Sequence, residues 1–124
     1  FVWNQNDETE AWSRRFYERH NAMPTMVHAG VYSAVTNYLK AVKATGSDDS
    51  DTVRAELGDM TLNDMFVKGG KILPNGSMLH DMYLVEVKKP DEASEEWDLL
   101  RVVSKIPADQ AYISLEDTKC SLVN

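Results

Sequence analysis

The chain has 124 residues, 43% hydrophobic and 27% charged, a balance that suits a globular domain, and no apolar run reaches the roughly 18 residues that a bilayer span needs. Its formal net charge of −7 argues against a nucleic-acid partner, because that kind of binding draws on clustered Lys and Arg that release counterions. It opens at Phe1-Val-Trp3 with no initiator Met, basic n-region or apolar h-region, and so reads as a piece of something longer.

Asn6 or Asp7 is placed to cap a first helix over 7–20. Asp7, Glu8 and Glu10 fall in its early turns and Arg14, Arg15 and Arg19 later, as the helix dipole favours, and Trp12 and Phe16 form an i, i+4 apolar seam. Asn21-Ala-Met-Pro24 ends it, since the residue before a proline is biased away from the helical region. A second helix is predicted over 28–45. Val31, Ala34, Val35, Tyr38, Leu39 and Val42 recur on one side of a 3.6-residue period and are predicted to be its buried face. Ser33, Thr36, Asn37, Lys40 and Lys43 take the opposite face, and Gly46 is the expected left-handed C-terminal cap. A short third helix is expected over 51–58, capped by Ser50 and stopped at Gly58.

Beyond Met60 the pattern turns to strands. Lys71-Ile-Leu73 and Ser77-Met-Leu79 flank Pro74-Asn-Gly76, and Asn-Gly marks a tight hairpin turn because both residues tolerate positive φ. Met82 to Lys88 alternates, with Tyr83, Val85 and Val87 on one side, and is expected to pair with Leu99 to Lys105 across a polar loop. From Ile106 onward, Pro107 and mixed polarity predict irregular covering with a short helical turn.

No Gly-x-Gly-x-x-Gly, Walker loop, Gly-x-Ser-x-Gly elbow, His-Glu-x-x-His or Cys-x-x-Cys is present, so an enzyme has nothing to anchor it. His20, His28 and His80 lack ligand-type neighbours at helical spacing and read as ordinary histidines, with no metal expected. The acidic runs at 47–51 and 90–96 lack the oxygen-ligand pattern of a calcium loop and read as solvated loops. Cys120 reads either as an inert thiol or as one whose disulfide partner lies outside the chain.

Several segments together carry a resemblance: the Trp-x-x-Arg-Phe type helix at 12–16, Met-Pro-Thr at 23–25, Ala-Gly-Val-Tyr-Ser-Ala-Val at 29–35, Gly-Lys-Ile at 70–72, Asn-Gly at 75–76 and His-Asp-Met-Tyr-Leu-Val-Glu-Val-Lys at 80–88. In this order they resemble the periplasmic solute-binding proteins of branched-chain amino acid type ABC transporters, of the type I class. The resemblance runs over essentially the whole chain. It implies an α/β fold, the C-terminal third of a two-lobed type I binding protein, built of helices plus β-hairpins. Residues 1–80 would belong to the first lobe, 81–85 would be a hinge crossing with Asp81, Met82, Tyr83 and Leu84 as its residues, and 86–124 would lie on the second lobe and tail.

The family's cleft is edged by the loop that enters its long helix, which carries over to His28, Ala29, Gly30, Val31 and Tyr32. A small Ala29, where relatives for aliphatic amino acids carry a bulky aromatic, would leave room for a ring. The ending Lys119-Cys-Ser-Leu-Val resembles the subgroup associated with aromatic carboxylates. The resemblance thus implies a periplasmic protein, exported by a signal peptide that this chain does not carry. It would capture a small carboxylate, a branched-chain amino acid or an aromatic acid, for a membrane permease, with neither cofactor nor chemistry. Its other expected partner is the remainder of its own chain or a second copy. The alternative is a sensory ligand-binding domain of a signalling receptor with the same fold.

Overall fold

Helix α1, Asp7–His20, begins where Asn6 Oδ1 accepts hydrogen bonds from the amides of Glu8 and Thr9 at 3.1 and 3.0 Å, while the Asn6 amide donates back to Thr9 Oγ1 at 3.1 Å. That reciprocal box satisfies amides the helix itself cannot. The helix ends as Asn21 turns left-handed at φ 52° and donates to the Tyr17 carbonyl. These bounds are those the sequence predicts. The structure, a computed structural model, describes residues 1–123.

Helix α2, Met26–Thr45, starts two residues ahead of the predicted 28. The Thr25 amide donates to His28 Nδ1 at 3.0 Å, so the imidazole does the work of an N-terminal cap. Gly46, at φ 66°, closes the helix as predicted, its amide donating to the Val42 carbonyl. Helix α3, Ser50–Asp59, is longer than the predicted 51–58. Its cap is Asp49 and not Ser50, because the Asp49 carboxylate accepts from both the amide and the hydroxyl of Thr52, at 3.0 and 2.8 Å. Gly58 lies inside the last turn and does not stop the helix, which continues until the Met60 amide reaches the Glu56 carbonyl.

The apolar face of α2 is open in this chain, as the resemblance implies for a piece without the strands that should bury Val31, Tyr38 and Val42, and the opposite face packs inward. Val31, Val35 and Leu39 are 59%, 52% and 57% exposed and Tyr38 is also exposed, whereas Ser33 and Asn37 are 0% and 2% exposed and lie inward with Ala29 and Ala41. The cause is Asp64. Its Oδ2 accepts from Ser33 Oγ and Asn37 Nδ2, both at 2.7 Å, and its Oδ1 accepts from the amides of Phe66 and Val67 at 2.8 and 3.0 Å. A carboxylate so satisfied lets a polar helix face pack inward. Lys40, expected in free solvent, donates to the Asn63 carbonyl at 2.9 Å.

Strands β1 (Leu62–Asn63), β2 (Lys68–Ile72) and β3 (Met78–Leu79) form an antiparallel sheet in that order. The predicted Asn-Gly turn joins β2 to β3: the Leu73 amide donates to the Ser77 carbonyl at 2.9 Å, which leaves Pro74, Asn75 and Gly76 as the loop. Gly76, at φ 83°, takes the left-handed position, and its amide donates to the Leu73 carbonyl at 2.8 Å, while Asn75 keeps a negative φ. Strands β4 (Met82–Val87) and β5 (Leu100–Ile106) pair antiparallel as predicted, with an irregular register between Leu84 and Val85. The short helix α4, Ala108–Ala111, fits the helical turn expected after Pro107, and its Ala108 amide donates to Asp81 Oδ1 at 3.0 Å.

The core gathers Trp12, Ala29 and Met65, with Phe1, Phe16 and Phe66 packed around them. The loop between β4 and β5 folds back on the N-terminal segment. Asp98, 3% exposed, accepts from Lys88 Nζ, from the Ser94 amide and hydroxyl and from Asn4 Nδ2. Trp3 Nε1 donates to the Trp97 carbonyl at 2.8 Å, Arg14 pairs with Glu95, and the Arg14 guanidinium lies 4.5 Å from the centre of the Trp3 ring.

Candidate functional site

Two grooves flank the core. The first runs between α1 and α2 and encloses about 710 Å³. From α1 it takes Trp12, Arg15, Phe16, Arg19 and His20, spaced i, i+3, i+4, i+7 and i+8, so that one stripe of the helix faces it. From α2 it takes His28, Val31, Tyr32, Val35 and Leu39, the face that the core does not use.

Its floor is aromatic. The ring centres of Trp12 and Tyr32 lie 5.3 Å apart and those of Trp12 and Phe16 5.8 Å apart, and Phe16 also meets the His20 and His28 rings at 4.4 and 4.9 Å. These separations are those of interacting aromatic pairs. Among the described residues, no Asp or Glu lines the groove, although the chain has 20 acidic residues against 13 Lys and Arg. Arg15 and Arg19 are exposed, and among the described residues neither forms an ion pair.

The five residues expected at the cleft edge divide. His28, Val31 and Tyr32 line this groove. Ala29 lines neither groove: it is 0% exposed and packs beneath the surface with Trp12 and Met65. Gly30 is half-buried, with open space where a side chain would begin. Arg15 and Arg19 were not singled out from the sequence as groove residues, although their spacing with Trp12 and Phe16 carried the signal.

The second groove, about 640 Å³ and mostly apolar, lies against β4. Trp3, Met23, Met26, Met82, Tyr83 and Trp97 are among its walls. Of the residues expected at the hinge, Met82, Tyr83 and Leu84 form the first half of β4 and pair with Ile106, Lys105 and Ser104, and Asp81 immediately precedes them. Asp81 pairs with Lys105, and that hydrogen bond holds its carboxyl below the usual carboxylate range.

A family model described as periplasmic binding protein matches residues 1–93. The chain is 46% identical to a periplasmic binding protein from Burkholderia mallei whose crystal structure superposes with a TM-score of 0.95, covering 98% of this chain and 32% of that one. It is 40% identical to a branched chain amino acid ABC transporter periplasmic ligand-binding protein from Burkholderia xenovorans, with a TM-score of 0.95, covering 100% of this chain and 33% of that one. The chain therefore spans about a third of the length of these structures. Among curated proteins, none matches.

Proposed function

The chain belongs to the periplasmic binding protein family, and from that membership we propose that it supplies part of the ligand-binding surface of an ABC transporter's solute-binding component. The ligand in this reading is a small carboxylate, either a branched-chain amino acid or an aromatic acid, delivered to a membrane permease without chemical change. The observation that carries it is the match of residues 1–93 to the family, with 46% identity to a solved periplasmic binding protein.

His28, Val31 and Tyr32 contact the ligand in this reading, with Gly30 leaving the approach open. Ala29 acts from behind, its small side chain setting how closely Trp12 packs to the helix. Asp81 to Leu84 serve as a hinge residue group about which the two lobes of the family fold close on the ligand. The name of the Burkholderia xenovorans relative supports the amino-acid side of the ligand class. The aromatic floor supports a ring.

The test is a thermal-shift screen of the protein against leucine, valine, benzoate and cinnamate. A ligand held at 100 times its dissociation constant adds about 2.7 kcal/mol of stability, which moves a melting curve by several degrees. Stabilisation by any of these acids, with the ligand recovered unchanged, is the expected result. No shift with any of the four would overturn the carboxylate reading, and ligand turnover would overturn a purely binding role.

A further inference from the structure

We propose that Asn75 is a site of spontaneous deamidation, at which the backbone nitrogen of Gly76 closes a succinimide on the Asn75 side chain and leaves aspartate or isoaspartate in the β2–β3 loop. Asn75 stands at the middle of that loop, and Gly76 after it is exposed and has no side chain to hinder the attack. In the step itself a bond forms between the Gly76 nitrogen and Asn75 Cγ, the Cγ–Nδ2 bond breaks, and ammonia leaves with the proton of the Gly76 amide. Water then opens the ring at Cγ, which gives aspartate, or at the main-chain carbonyl, which gives isoaspartate.

The loop folds the side chain toward this reaction. The Ser77 amide donates to Asn75 Oδ1 at 3.1 Å, so the carboxamide is turned along the chain beside the Gly76 peptide instead of out into solvent. The same donor faces the oxygen on which negative charge builds as Cγ becomes tetrahedral. The Arg54 guanidinium donates to the Pro74 carbonyl at 2.9 Å and lines one cavity with Gly76, so a cation stands near the amide that must give up its proton. One contact opposes the step: the Gly76 amide donates to the Leu73 carbonyl at 2.8 Å. A hydrogen bond of that kind is worth about 1 kcal/mol net, which slows the reaction roughly fivefold without stopping it.

The other asparagines among the described residues are held back. Asn6 caps α1, Asn37 is buried against Asp64, Asn4 donates to Asp98, and Asn63 Oδ1 accepts from the Gly69 amide. None of them, nor Asn21, is followed by glycine, so each attacking nitrogen would belong to a residue whose side chain crowds it. At Asn75 either product adds a negative charge near Arg54, and isoaspartate also lengthens the main chain of the loop by a methylene.

The test is mass spectrometry of the protein aged in its folded state at neutral pH. The tryptic peptide 72–88 is resolved into its asparagine, aspartate and isoaspartate forms, beside the same peptide excised first and aged free. Asn75 is expected to convert within about tenfold of the free-peptide rate, to give both products, and to do so while Asn4, Asn6, Asn21, Asn37 and Asn63 stay unchanged. Asn75→Gln, confirmed as folded by its melting curve, is expected to lose the signal, because the larger ring closes more slowly. An Asn75 that stays intact in the folded protein while the free peptide converts would overturn the proposal, and so would equal conversion at the other asparagines. Aspartate formed with no isoaspartate would overturn the succinimide route.

Discussion

Asp64 joins helix to sheet through a single side chain. Burial pushes its carboxyl up, but hydrogen bonds from Ser33, the Val67 and Phe66 amides and Asn37 outweigh that and hold it below its usual range. A group whose folded pKa is depressed stabilises the fold above its unfolded pKa, and the contribution is lost as pH falls through the folded value. Stability is therefore expected to decline below about pH 4, with part of that decline absent from Asp64→Asn. Asp64→Ala, which strands Ser33, Asn37 and two backbone amides, is expected to cost about 2 to 3 kcal/mol in urea unfolding at pH 7. Asp98 follows the same rule of sign. Its hydrogen bond from Lys88 and those from Ser94 hold its carboxyl well below the usual range, so the tie between the β4–β5 loop and Asn4 also loosens in acid.

At the scale of the element, what could be read from sequence depended on whether the deciding contact was local. The Asn6 cap of α1, the Gly46 stop of α2 and the turn at Gly76 all rest on hydrogen bonds within four residues, and each was legible. Pairing of β4 with β5 was legible too, since alternation and the intervening polar loop are adjacent in sequence. The inward face of α2 was not, because Ser33 and Asn37 are satisfied by a carboxylate 31 and 27 residues away. Hydrophobic periodicity located the helix and its apolar face, which is open in these 124 residues, and gave no sign that the polar side also packs inward. A direct consequence follows for stability of this chain alone. Asn37→Leu is expected to destabilise by about 2 kcal/mol, because it leaves Asp64 short of a donor and overfills a closed site. Val35→Gln, on the apolar stripe, is expected to stay within about 0.5 kcal/mol. Urea unfolding of the pair would reverse that order if the apolar stripe were the core.

For the whole molecule, the same open face says where the rest of the architecture is needed. Val31, Val35, Tyr38 and Leu39 form an apolar stripe open to solvent, and Leu84, Val87 and Val103 of the β4–β5 hairpin are more than half exposed. A two-stranded hairpin has little stability without a surface to pack on, and an apolar stripe of this kind on a helix is the usual mark of a packing face. The matched binding-protein structures are about three times as long as this chain, and these faces are expected to pack against the part of that fold outside it. The site was correspondingly only half legible: His28, Val31 and Tyr32 came from resemblance, whereas the groove's cationic rim emerged once α1 and α2 were set side by side. The 124 residues expressed by themselves are expected to self-associate with rising concentration, as sedimentation velocity would register. Supplying the remaining two-thirds of the fold as a separate polypeptide is expected to suppress that association by covering both faces. A monomer that persists across the concentration range, with the stripe intact, would instead mean that the exposed faces need no partner at all.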